Sequence, residues 1–270
     1  MKRRIQRGFI LIVCVIAMMP IAAIGNTPGK TKYNKNKTQR STPEPDGTPN
    51  KAKQHQLVSS ISEANLPHTI DNYSRDGIDV SHYQGNINWE IVARETGISY
   101  AYLKATEGAS LVDDTYRRNL KGAKRAGIKV GSYHFYRPNV SVEEQIQNIT
   151  TNILPEEQDL LPIIDVEHAG KVSEEQFVSD LRRFIEQVTK FYGRRPLIYT
   201  FHNFYNRHLS GKFPGYKWMI ARYREDEPTL DDGQDFIVWQ YTAKGSIPGI
   251  RGNVDKSKIM ENYSLSEILF

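Results

Sequence analysis

The stretch Leu160-Leu161-Pro162-Ile163-Ile164-Asp165-Val166-Glu167-His168 decides how this chain folds. Leu160, Leu161, Ile163 and Ile164 make a short apolar run that leads directly into two acids one residue apart. A brief, branched and Leu-rich run bounded by polar residues is the pattern of a fully buried, parallel-type strand. Side chains alternate along a strand, so Asp165 and Glu167 are expected on one side and Val166 on the other. Same-face Cα atoms lie roughly 6.5–7 Å apart along a strand. Two carboxyls that close, at the mouth of an apolar strand, disfavour each other's ionisation. Such a pair can keep one acid protonated and one carboxylate charged, the division of labour that cleavage of a glycosidic bond requires.

Outward from this strand the chain alternates between two periodicities. Upstream, Gly77-Ile78-Asp79-Val80-Ser81 reads as a first strand, and Asn88 to Glu95 as a helix with an Asn start signal. Tyr100 to Ala105 is a second strand, and Asp114 to Arg125 a helix that Gly127 stops. Ile128 to Phe135 is a third strand, and Val142 to Ile153 a helix opened by Ser141 and Glu144 at capping-box spacing. Downstream, Ser173 to Tyr192 places Phe177, Leu181, Phe184, Ile185 and Val188 on one helical face. Pro196 to Thr200, Lys217 to Ala221 and Phe236 to Tyr241 are further strands, with a last short one at Asn253 to Asp255. Alternating β and α elements argue for a parallel sheet, and their number suits a single (β/α) barrel-like domain with an irregular second half. The competing arrangement is an open doubly wound sheet. No Gly-rich phosphate loop follows the first strand, which disfavours a nucleotide site.

The charge balance divides the chain. Residues 1–75 carry 12 Lys and Arg against 4 Asp and Glu, a net of +8. Residues 76–270 carry 24 against 27, a net of −3, so the basicity lies outside the region of alternating elements. Nucleic acid is therefore not an expected partner. Lys2, Arg3, Arg4 and Arg7 followed by an apolar run from Phe9 to Ile24 are expected to make residues 1–25 a secretory signal peptide or N-terminal membrane anchor. Residues 26–74, rich in Lys, Asn, Thr, Pro and Gln, read as a basic disordered linker. Residues 75–270 are then the barrel domain, exported and either secreted, periplasmic or associated with the cell envelope. Membrane association is expected only through residues 1–25, and the chain is expected to be a monomer. The one cysteine, Cys14, allows no intramolecular disulfide.

In a barrel the C-terminal ends of the strands meet at one face. The polar residues found there are Asp79, Lys104 with Glu107, Tyr133 with His134, Asp165 with Glu167, Tyr199, Arg222, Trp239 with Gln240 and Tyr241, and Asp255. His82, His134 and His168 show no compact ligand spacing, and neither a metal nor another cofactor is expected.

Seven segments together resemble the family 25 glycoside hydrolases, the bacterial and phage lysozymes. They are GIDVSHYQGNINWE (77–90), YLKATEG (102–108), GSYHFYRP (131–138), PIIDVE (162–167), PLIYT (196–200), WMIARY (218–223) and WQYTAKGSIPGIRGNVD (239–255). The resemblance covers about residues 76–260 and leaves residues 1–74 untouched. It implies an irregular TIM-like barrel with fewer helices than strands. It also implies hydrolysis of the β-1,4 bond between N-acetylmuramic acid and N-acetylglucosamine in peptidoglycan, whose glycan strands would be the partner. The family's catalytic carboxylates fall on Asp79, Asp165, Glu167 and Asp255. Glu167 is then the expected general acid and base, its pKa raised by neighbouring Asp165, while Asp165 stays ionised as nucleophile or as support for the substrate's acetamido group. Asp79 and Asp255 are expected to tune the pair, with retaining stereochemistry. Tyr133, Tyr199, Trp239, Gln240 and Tyr241 are expected to bind substrate, although alternation turns Trp239 and Tyr241 away if Gln240 faces the cleft. The alternatives are a hexosaminidase on chitin-like glycans, a non-catalytic glycan-binding module, and a tethered adhesin or scaffold.

Overall fold

A computed structural model describes residues 74–270; the expected signal segment and nearly all of the expected linker lie outside the described residues. The strands β1 (Asp76–Val80), β2 (Tyr100–Glu107), β4 (Lys129–Phe135), β5 (Ile163–Asp165), β6 (Leu197–Phe201), β7 (Lys217–Ala221) and β8 (Val238–Gly245) run parallel in sequence order. The last strand, β9 (Val254–Ile259), is antiparallel to both β8 and β1 and so closes the barrel, which excludes the open sheet. A two-residue strand, β3 (Leu111–Val112), pairs back on the end of β2.

Helices α1 (Trp89–Glu95), α2 (Tyr116–Arg125), α3 (Val142–Asn152) and α4 (Glu174–Tyr192) make the crossovers of the first half. Between β6 and β7 stand the short α5 (His202–Phe204) and a π-turn at Tyr205–Leu209. No described helix links β7 to β8. The last step has a physical cause: the antiparallel β9 is reached by a hairpin, whereas a parallel neighbour needs a crossover.

Strand alternation splits the core into two layers. Tyr100, Tyr102, Ile163, Leu197, Met219, Val238 and Ile259 fill the barrel, and Leu160, Leu265 and Ile268 join them. Ile78, Leu103, Val130, Ile164, Ile198, Trp218 and Ile220 face outward and pack with Val92, Leu120, Ile149, Phe177, Leu181 and Phe184 of the helices. Ser173 caps α4 through the Gln176 N–H, and Ser141 caps α3 through the Glu144 N–H.

Several boundaries differ from expectation for local reasons. The strand at Leu160–His168 contracts to Ile163–Asp165. Pro162 has no N–H to give, and the N–H groups of Leu160 and Leu161 donate instead to the carbonyls of Val130 and Ile268. Helix α2 begins at Tyr116 because Asp113 Oδ1 accepts from both the N–H and the hydroxyl of Thr115, a local turn that competes with helix. Strand β9 runs on to Ile259, beyond the short segment its sequence suggested. No helix among the described residues is long and apolar enough to cross a membrane.

Candidate active site

Asp79, Tyr133, Ile163, Asp165, Glu167, Tyr199, Gln240 and Asp255 line one pocket of about 70 Å³. Each comes from a different strand or its immediate end, except that β5 supplies three. Asp165 is the last residue of β5 and Glu167 lies two residues on, both turned inward, while Val166 is buried in the outer layer. Asp79 on β1 stands directly opposite Asp255 on β9 in the antiparallel register. Asp165 is the register partner of Tyr199 on β6.

A hydrogen-bond relay orders one wall. The hydroxyls of Tyr199 and Tyr223 both donate to Gln240 Oε1, at 3.0 and 2.7 Å. Gln240 Nε2 in turn donates to Asp79 Oδ2 at 2.9 Å. The two donors fix which end of the amide carries oxygen, and hence that the amide N–H faces the carboxylate. Asp165 differs: its Oδ1 is buried and has no described hydrogen-bond partner.

Burial is the largest cause of the raised proton affinity of all four carboxyls in the pocket. Burial pushes Asp79 up to about 8; the Gln240 hydrogen bond opposes the rise and the nearby Asp255 charge adds to it. Burial, then the Glu167 charge, hold Asp165 well above the usual carboxylate range, with Lys104 opposing. Burial raises Glu167 to about 6, Asp255 adding to it; Lys104, Arg137 and a hydrogen bond from Asp165 pull it back. Burial alone raises Asp255 to about 6. Burial is thus the first cause of the rise in both members of the inner pair, where neighbouring Asp165 was the cause expected for Glu167.

Cations stand beside this pocket rather than in it. Lys104 Nζ is 2.6 Å from Glu107 Oε2, Arg137 pairs with the other oxygen of Glu107, and Arg137 Nη1 lies 3.1 Å from His168 Nε2. The Phe135 ring lies under both Lys104 and Arg137.

Other residues at the strand ends do not converge. His134 faces outward, buried among the helices, with Nδ1 2.8 Å from Thr106 Oγ1 and Nε2 3.3 Å from Gln145 Oε1. Burial lowers its pKa to about 4, which makes it a neutral structural group. Trp239 and Tyr241, expected to bind substrate, do not line this pocket. They turn to the side of β8 opposite Gln240, with rings edge-to-face at 6.1 Å and Lys258 and Lys256 over them. The Trp239 indole N–H donates to the Arg222 carbonyl. Arg222 itself turns to Asp226. Tyr223 was overlooked; continuing the inward alternation of Met219 and Ala221 past the end of β7 would have found it. Among the described residues no group of three or more His, Cys, Asp or Glu is placed to hold a metal ion.

The arrangement of carboxyls can donate and accept protons at a bond lying across the pocket. Comparison with known proteins agrees with that chemistry. The family model described as Glycosyl hydrolases family 25 matches residues 78–250. Protein YegX of Escherichia coli (strain K12) is 35% identical over 187 residues, spanning 68% of each chain. Lysozyme M1 of Streptomyces globisporus is 34% identical over 208 residues, 72% of this chain and 69% of that one. The crystal structure of the bacterial lysozyme from Streptomyces coelicolor superposes with a TM-score of 0.66 at 32% identity, covering 73% of this chain and 96% of that one. The chain belongs to the glycosyl hydrolases of family 25.

Proposed function

We propose that this glycoside hydrolase is an exported muramidase that cleaves the β-1,4 bond between N-acetylmuramic acid and N-acetylglucosamine in peptidoglycan. The observation that carries the reading is the pocket of four carboxyls whose proton affinities are set apart by burial and mutual charge. Its lysozyme relatives supply the substrate. Glu167 is the general acid and base. It has the more solvent-reachable carboxyl of the inner pair and a pKa of about 6, close to where proton transfer is most efficient.

Asp165 and Glu167 stand two residues apart and both face the pocket, so the pair can share one proton between them. Glu167 then protonates the leaving oxygen, and Asp165 is left charged beneath the sugar as nucleophile or as support for the acetamido group. The unpartnered Asp165 Oδ1 is the atom that faces that role. Asp79, steered by Gln240, and Asp255 keep the pocket's charge low enough for the proton to stay. Tyr133, whose phenol burial and Asp165 keep neutral, is a donor to the substrate.

Residues 1–25 direct export, residues 26–74 serve as a spacer, and the enzyme works as a monomer. Digestion of purified peptidoglycan by the full chain, with new reducing ends identified by mass spectrometry, tests the substrate. Muramic acid ends support the proposal; intact walls or glucosamine ends overturn it. Removing residues 26–74 is expected to leave turnover of soluble fragments unchanged, and a large loss would contradict the spacer role.

A further inference from the structure

The catalytic pocket is small. Its volume of about 70 Å³ lies below the roughly 300 Å³ at which ligand pockets ordinarily begin. A polymeric substrate must lie across its mouth and take further contacts along the same rim. The C-terminal ends of β1 and β8 belong to that rim, and between the loops that leave them lies a cavity of about 670 Å³. Tyr83, Asn86, Gly249, Ile250 and Arg251 are among its walls.

The two loops are locked together before any ligand arrives. The Asn88 N–H donates to the Gly249 carbonyl at 2.8 Å, and Gln84 Nε2 donates to the Asn253 carbonyl at 3.0 Å. Gly249 sits at φ +92°, and a Cβ there would meet the Asn88 carbonyl oxygen at 2.6 Å, so the approach needs glycine. The turn at His82–Gln84 is pinned as well. Ser81 and Gln84 form a reciprocal capping box, and the buried Asp113 accepts from the His82 backbone N–H and lies 2.8 Å from His82 Nδ1.

On this rigid turn stands Tyr83, 80% exposed, with only the His82 ring stacked beside it at 4.1 Å. The ring is left open to water beside the cavity, with no described hydrogen bond to its hydroxyl, on a turn whose backbone is pinned. It is four residues from Asp79, at most about 14 Å of chain, and Asn253 is two residues from Asp255. The platform thus stands at the same end of the barrel as the catalytic pocket.

We infer that Tyr83 and the cavity beside it are a distal sugar subsite, in which the apolar face of a pyranose of the same glycan strand lies on the Tyr83 ring. Asn86 and Arg251 offer donors to the sugar's hydroxyl and carbonyl oxygens. The inference deepens the muramidase reading and rests on it.

Tyr83→Ala in the full chain tests it, compared with wild type on long peptidoglycan strands and on the shortest fragment that is cleaved. Because Tyr83 is exposed, the variant keeps its fold. KM on long strands is expected to rise roughly five- to tenfold with kcat unchanged, while the short fragment, which ends before the subsite, shows no change in KM. Tyr83→Trp is expected to restore KM on long strands. Equal KM for Tyr83→Ala and wild type on long strands, or equal losses on long and short substrates, would overturn the subsite. Wild type that is inert on every peptidoglycan would instead sink the substrate reading, so the two failures are distinguishable.

Discussion

Glu167 and Asp165 carry the account at the scale of single residues. Glu167→Gln keeps the size and removes the transferable proton, so kcat is expected to fall by about 100- to 10,000-fold with the fold intact. A peptidoglycan-release assay beside circular dichroism checks both halves, and full activity in the variant would remove Glu167 from its role. A general acid must be protonated, and Glu167 loses its proton near pH 6 in the empty pocket. The expected kcat/KM therefore declines as pH rises above about 6, and a profile flat to pH 8 would contradict it. Strand-end position and alternation, which are local properties, put the four acids among the polar residues at one face of the barrel, and the family resemblance singled them out. Sequence alone could not assign their proton affinities, because burial depth and the Lys104 and Arg137 charges come from other strands. That is why burial, and not the neighbouring acid, comes first among the causes that raise Asp165 and Glu167.

At the scale of elements, two contacts decide how the strands hold the pocket. Gly77 on β1 lies against the Tyr100 ring, where an added Cβ would come within 2.1 Å. That ring fills the barrel and cannot yield without disturbing β2, so Gly77→Ala is expected to cost about 1–3 kcal/mol or more, seen as a lower Tm. An unchanged Tm would mean the barrel floor is looser than described. His134 gives the complementary case on the outer layer. His134→Leu leaves Thr106 and Gln145 without their shared partner and is expected to cost about 1–3 kcal/mol, with kcat per folded molecule unchanged. A loss of kcat there would return His134 to the active site. The helices were legible because caps and apolar stripes are written locally, as at Ser173 and along Phe177 to Val188. Strand β5 was misjudged in length because the N–H groups of Leu160 and Leu161 find partners far away in the chain.

For the whole molecule, the same four carboxyls tie stability to pH. Each has a folded pKa raised above its unfolded value. The folded state then binds more protons, so the stabilisation is complete below about pH 4 and drains away as pH climbs through about 6 and 8. Urea unfolding is expected to show the barrel losing stability between pH 5 and 8, and Asp79→Asn to flatten that slope. Barrel closure and the convergence of seven pocket residues followed from the βα alternation. The antiparallel β9, the hairpin that delivers it and the rim cavity it builds did not, since pairing across the first and last strands leaves no local mark. The most direct check of the central claim is a carboxyl-carbon NMR titration of the full chain. The account predicts that Asp79 still holds its proton at pH 7, that Glu167 and Asp255 titrate near 6, and that Asp165 titrates well above the ordinary carboxylate range. Four carboxyls titrating together near pH 4, the ordinary range, would contradict it.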